Sequence, residues 1–98
     1  MRLRYSPSAL ADLDDILAYI AVRSPSGAQK VQARLQAITK LLLRHPNSGS
    51  RTDDPTIRRM TTLPYPYLIF YQATADEIII HAVRHAARNP ADMPGSNL

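Results

Sequence analysis

Two Ser-Pro steps, Ser6-Pro7 and Ser24-Pro25, constrain this chain more than anything else in it. In each, the serine offers an oxygen to a backbone N–H at a helix start, and proline takes the first helical position, where its missing N–H costs nothing. After the first step, Leu10, Leu13, Ile16, Leu17 and Ile20 recur at helical spacing, which predicts a helix over residues 7 to 22 with one apolar stripe. Asp12, Asp14 and Asp15 lie towards its start, where carboxylates suit the positive end of the helix dipole. After the second step, Ala28, Val31, Leu35, Ile38 and Leu42 follow the three-and-four spacing of a seam between packed helices. His45-Pro46 and the turn formers Asn47, Ser48 and Gly49 close that helix. The front half is thus a helical hairpin whose apolar side needs cover.

The texture of the rest supplies it. Residues 2 to 5 alternate Arg, Leu, Arg, Tyr and read as a short paired strand, and a polar loop runs from the second helix to Pro55. Residues 57 to 63, 67 to 73 and 78 to 84 are β-rich, separated by Pro64-Tyr65-Pro66 and by a short turn at 74 to 77. The expected fold is α+β: an N-terminal strand and a helical hairpin packed on an antiparallel three-strand meander. Strict alternation puts Ile78, Ile80 and Ala82 on one side of the last strand and Ile79, His81 and Val83 on the other. Both sides are apolar, so the side away from the hairpin calls for cover by the N-terminal strand, the tail or a partner chain. With 98 residues, one domain is expected over residues 1 to 90, with 91 to 98 as a flexible tail. A domain of this size buries only roughly 60 to 65% of its unfolded surface, so a lasting partner would add to a thin margin.

Composition narrows the function. There is no Cys, which removes disulfides, thiolate metal sites and cysteine catalysis together, and no apolar run approaches a membrane span. A soluble, cytoplasmic protein is expected. Twelve Lys and Arg against eight Asp and Glu give a net charge of +4. The whole excess lies in residues 1 to 50, with seven basic and three acidic side chains, much of it in Lys30, Arg34, Lys40 and Arg44. These four read as a solvated face of the second helix or, alternatively, as a track for an acidic partner or phosphates.

The order Pro7-x-Ala9-x-x-Asp12-Leu13-x-x-Ile16-x-x-Tyr19-Ile20, then Pro25, His45-Pro46 and Gly49, resembles the ParE branch of the RelE/ParE toxin superfamily. The back half is similar as well: Arg59-Met60 leading to Leu63-Pro64, then Tyr67-Leu68-Ile69-Phe70-Tyr71, then residues 80 to 83 followed by His85-Ala86-Ala87-Arg88. The likeness covers residues 2 to 90. Pro66 and Ala86 stand where the family commonly has Gly, and His81 where an apolar residue is more usual. The resemblance implies the toxin of a type II toxin–antitoxin pair, inhibited by a ParD-like antitoxin that lays a helix and an extended segment over it. It further implies DNA gyrase as the target, hetero-oligomers with the antitoxin, and operator DNA met only through the antitoxin. RelE relatives instead cut messenger RNA on the ribosome.

RelE-type cleavage needs a base for the 2′-hydroxyl, an acid for the leaving oxygen and cations for the phosphorane charge. Arg59, Arg84, His85 and Arg88 are the residues that could carry it, yet the sheet half has no lysine. Arg58, Arg59, Tyr67, Tyr71, Arg84, His85 and Arg88 are the candidates for contact with antitoxin or target. Arg58 and Arg59 are strand neighbours and point to opposite faces, so one of them meets the less buried side, where an acidic segment could bind. Tyr67 and Tyr71 share parity with Ile69 and read as lining one packed face, and His81 reads as a satisfied packing residue. No metal or cofactor is expected. The reading favoured is a non-enzymatic gyrase-binding toxin; a ribosome-dependent endonuclease and a non-toxic co-repressor subunit are the alternatives.

Overall fold

The computed structural model describes residues 1 to 87. Strand β1 (Arg2–Tyr5) leads into helix α1 (Pro7–Arg23) and helix α2 (Pro25–Arg44), followed by β2 (Ser50–Arg51), β3 (Arg58–Thr62), β4 (Tyr65–Ala73) and β5 (Glu77–His85). The Ser-Pro steps do what their chemistry dictates. The Ser6 hydroxyl accepts the Ala9 N–H at 3.0 Å, and the Ser24 hydroxyl accepts the Gly27 N–H at 3.0 Å. Ser24 also closes α1, its own N–H donating to the Ile20 carbonyl at 2.7 Å, so a single residue ends one helix and starts the next.

The five strands form one sheet in the order β1-β5-β4-β3-β2, with β1 parallel to β5 and every other pairing antiparallel. The expected α+β architecture is therefore present, with one more strand than the sequence suggests. β2 lies inside the segment read as polar loop: Ser50 and Arg51 pair with Arg59 and Arg58, and two residues are too few to show an alternation. The Pro64-Tyr65-Pro66 connection also contracts. β4 starts at Tyr65, and the Pro66 carbonyl accepts the Ala86 N–H at 2.8 Å.

Three further expectations are corrected. First, β5 does not keep strict alternation: Phe70 pairs with Ala82 and Tyr71 with Ile80, so His81 is an extra residue in a bulge. The bulge flips parity, putting Val83 with Ile78 and Ile80 in the core beneath the helices and Ala82 with Phe70 on the opposite face. Second, Leu10 is not on the buried stripe. It is 48% exposed, while Ala9 is fully buried and Leu13, Ile16, Leu17 and Ile20 pack beside it. Third, the N-terminal strand does not cover the far sheet face; it pairs along the edge of β5. On that face the 52–57 loop delivers Ile57 onto Phe70, Ala82 and Leu68. The Thr52 hydroxyl holds this loop, lying 3.0 Å from the Asp54 carbonyl and 2.9 Å from the Ile57 carbonyl.

The main core joins Val31, Leu35, Ile38 and Leu42 of α2 to Ile69, Tyr71, Ile78, Ile80 and Val83 of the sheet. Tyr71 sits at its end. Its hydroxyl donates to the Pro46 carbonyl at 2.7 Å and accepts the Gly49 N–H at 2.9 Å, tying the exit of α2 to the sheet. Gly49 is the residue this approach allows, since a Cβ there would stand 2.7 Å from the Tyr71 ring and hydroxyl and 2.9 Å from the Arg59 carbonyl. Among the described residues no helix is long and apolar enough to cross a membrane. The tail read over 91 to 98 lies outside the described residues, as do residues 88 to 90 of the expected domain.

Candidate binding surface

The second half of β5 extends beyond β1, and an uncovered strand edge presents unpaired backbone groups. Here α1 supplies their partners. The Ser6 N–H donates to the Ile80 carbonyl at 2.9 Å, the Ser6 hydroxyl to the His81 carbonyl at 3.2 Å, and the Val83 N–H donates to Asp12 Oδ2 at 3.1 Å. The same Asp12 oxygen accepts a hydrogen bond from the Arg84 guanidinium, forming an ion pair whose side chains are only 19% and 16% exposed. Asp12 thus does more than favour the helix start. In the sequence it reads as one of three helix-start acids, although its place in the Pro7-x-Ala9-x-x-Asp12 string was a signal that it did more.

The candidate contact residues fall into distinct environments. Tyr71 is fully buried and has no surface to offer a partner, so it is corrected to a core residue. Its phenol is pushed above its ordinary range by burial, against the opposing pull of the Gly49 N–H and the Arg58 charge. Arg58 is half-buried, donating to the Gly49 carbonyl at 2.9 Å and the Asn47 carbonyl at 3.4 Å. These bonds hold it beside Arg51, its register partner on β2, where two like charges would otherwise repel. Arg59 is exposed, as the neighbour rule requires. Tyr67 packs half-buried against the core, its phenol raised first by burial and then by nearby Tyr19. His85 is exposed and meets the Tyr67 ring edge-on, centroids 5.6 Å apart at 88°. Its Nδ1 accepts the Ala87 N–H at 3.1 Å. His81 is satisfied by Gln72, with Nε2 3.0 Å from Oε1. Arg88 lies outside the described residues.

Register shows which of these come together. Residues opposite one another in a sheet share a face. His85 is opposite Tyr67, on the face that bears the helices, whereas Arg84 is opposite Leu68 and Arg59 opposite Phe70, on the other face. β4 also lies between β3 and β5, separating the Arg59 and Arg84 backbones by two strand spacings, about 10 Å. Arg84 nevertheless reaches Asp12 at the β5 edge and lines a shallow pocket with Asp12, Asp15 and His85, so only Arg59 stands apart. Among the described residues no three His, Asp or Glu side chains group as a metal site.

The architecture is a small mixed sheet that carries a helical hairpin and has its edge capped from the first helix. The family model of the ParE toxin of type II toxin–antitoxin systems (parDE) matches residues 3–90, and the chain belongs to this family. It is similar to toxin RelE2 of Caulobacter vibrioides, 39% identical over 80 residues that make up 82% of this chain and 89% of the relative. It is also 34% identical over 85 residues to the Y4kP protein of Sinorhizobium fredii, likewise named as a toxin, covering 87% of this chain and 88% of that one. Among solved structures, a chain of the chromosomal ParDE system from P. aeruginosa superposes with a TM-score of 0.73 at 26% identity, covering 87% of this chain and 95% of that one. The chain is accordingly a ParE-family toxin of a type II toxin–antitoxin system.

Proposed function

We propose that this toxin acts in the cytoplasm by binding DNA gyrase, and that a ParD-like antitoxin neutralises it in a hetero-oligomer and supplies sequence-specific recognition of operator DNA. Family membership supports the classes of target and antitoxin. Binding rather than catalysis is favoured by one observation: Arg59 lies on the far sheet face, two strands from the Arg84–His85 end of β5, so the residues a ribonuclease would need do not form one cluster. Arg84 is moreover committed to Asp12. A protein-binding role is further supported by the exposed pair Tyr19 and Val22, one turn apart on α1, apolar surface of the kind a partner segment covers. Arg58, Arg59, Tyr67 and His85 are the contact candidates that retain exposed or half-exposed surface.

A supercoiling assay tests the target. Purified toxin should lower gyrase activity or trap cleaved DNA, and an unchanged supercoiling rate at large molar excess would remove gyrase. Rapid transcript cleavage on expression, abolished by His85→Ala, would instead establish the endonuclease. Harmless overexpression without antitoxin would establish the co-repressor subunit.

A further inference from the structure

We infer that the outer face of α2 binds the phosphodiester backbone of duplex DNA without reading its sequence. The 20 residues of this helix include Lys30, Arg34, Lys40 and Arg44 and no acidic residue. All four basic side chains are exposed, and among the described residues none takes part in an ion pair. Arg34 donates from Nε to the Leu63 carbonyl at 2.8 Å, which orients its guanidinium without neutralising it. At 3.6 residues per turn the four fall within about a third of the helix circumference, and from Lys30 to Arg44 they span about 21 Å.

The content of the face decides between nucleic acid and protein. Between the charges stand Ala33 and Ala37, both exposed, which keep the surface low enough for close approach. The large exposed apolar residues are Met1, Leu10, Tyr19, Val22 and Leu63, none of them on α2, and Leu63 alone borders the track, at its Arg34 edge rather than its centre. A protein interface draws its energy from a central aromatic or aliphatic anchor. A phosphate track needs charges spaced along a rod and no anchor. A length of about 21 Å matches about six base-pair steps of 3.4 Å along a duplex. The positive charge is also confined to this helix within the hairpin, since α1 carries Asp12, Asp14 and Asp15 against Arg23. The inference requires neither gyrase nor an antitoxin, and it gives the toxin a DNA contact of its own where the sequence reading left operator contact to the antitoxin alone.

The test is anisotropy of a labelled random-sequence duplex titrated with the full chain at several salt concentrations. Each neutralised phosphate contributes a slope of roughly −0.9 to log K against log salt, so four contacts predict about a hundredfold loss of affinity across a fourfold rise in salt. Lys30→Gln/Lys40→Gln removes two charges from exposed positions with little change in helix propensity, and should reduce that loss to about tenfold. Arg2→Gln/Arg4→Gln removes the same net charge from β1 and should leave the slope unchanged. Circular dichroism confirms that each variant is folded. Absence of binding at low salt, equal effects of the two double variants, or tighter binding of a single-stranded RNA of equal length would each overturn the inference.

Discussion

The two helices of the hairpin start alike, with Ser-Pro and a serine hydroxyl capping the first turn, and then take opposite jobs. α2 buries Val31, Leu35, Ile38, Thr39 and Leu42, whereas Ala9 is the one fully buried residue of α1. α1 packs through Ala9 and the half-buried Leu13, Ile16, Leu17 and Ile20, adds polar contacts to a strand edge through Ser6 and Asp12, and leaves Leu10, Tyr19 and Val22 in the open, Val22 at 85% exposure. One helix is fastened by fully buried apolar area, the other by shallower apolar packing reinforced by a few directed bonds. The first kind of attachment is costly to break and chemically uniform; the second is local and can be removed one bond at a time.

The most severe way to test that contrast is to truncate each helix in turn. Leu42→Ala should cost about 2–5 kcal/mol, because a fully buried leucine leaves a cavity among Tyr71, Ile80 and its other neighbours. In a domain with a thin margin, chemical denaturation should show most of the stability gone. Leu10→Ala, the matching change on α1, should stay within about 0.5 kcal/mol of wild type. Equal losses would show that Leu10 is packed rather than open and would break the contrast at that position.

Next in size is Asp12→Ala, expected to cost about 1–3 kcal/mol, since it strips the acceptor from both the Val83 N–H and the part-buried Arg84 guanidinium. The loss should be local, with hydrogen exchange accelerating at Val83 and along α1 while α2 amides stay protected. Arg84 Nε is already buried without a partner among the described residues, so Asp12→Ala/Arg84→Met should recover part of the stability lost in the single variant. A double variant less stable than the sum of the singles would contradict the pairing.

What could be read ahead of the structure, and what could not, follows the same division. The helix starts were legible because a serine and a proline act on neighbours within one turn, and the packing of Tyr67 and Tyr71 was legible from parity with Ile69. The β5 bulge was not, because nothing in residues 78 to 84 marks His81 as the extra residue; it appears only when Phe70 pairs with Ala82 and Tyr71 with Ile80. Nor was the role of Asp12, whose partners Val83 and Arg84 lie 71 and 72 positions away. Contacts at such separation depend on the topology, with α1 lying along the β5 edge that β1 leaves open. The same holds for β2, which becomes a strand only through Arg58 and Arg59 opposite it.

Tyr71 joins the α2 exit to the sheet, and its loss should be smaller and pH-dependent. Tyr71→Phe leaves the Gly49 N–H and the Pro46 carbonyl without the hydroxyl, at about 1–2 kcal/mol. Burial raises this phenol above its unfolded value, so the neutral form stabilises the fold fully below about pH 10, and that contribution fades as pH climbs towards the higher folded value. Denaturation midpoints should therefore fall more steeply above pH 10 in wild type than in Tyr71→Phe. Parallel curves would place the alkaline sensitivity elsewhere, Tyr5 and Tyr67 being raised by burial as well.

The smallest effect on stability should come from Val22→Ser, yet it addresses the proposed partner surface directly. Val22 is the most exposed of the large apolar residues, and its neighbour Tyr19 is held flat by Arg23, whose guanidinium lies 3.8 Å from the ring centroid. Such a residue adds almost nothing to folding, so the melting temperature should not move measurably. In a complex with its antitoxin the same side chain would lose its water, and Val22→Ser/Tyr19→Ser should then weaken binding about tenfold or more in a calorimetric titration. Unchanged affinity with unchanged stability would mean that the open side of α1 is neither core nor interface. The partner would then have to be sought at Arg58, Arg59, Tyr67 and His85 on the sheet.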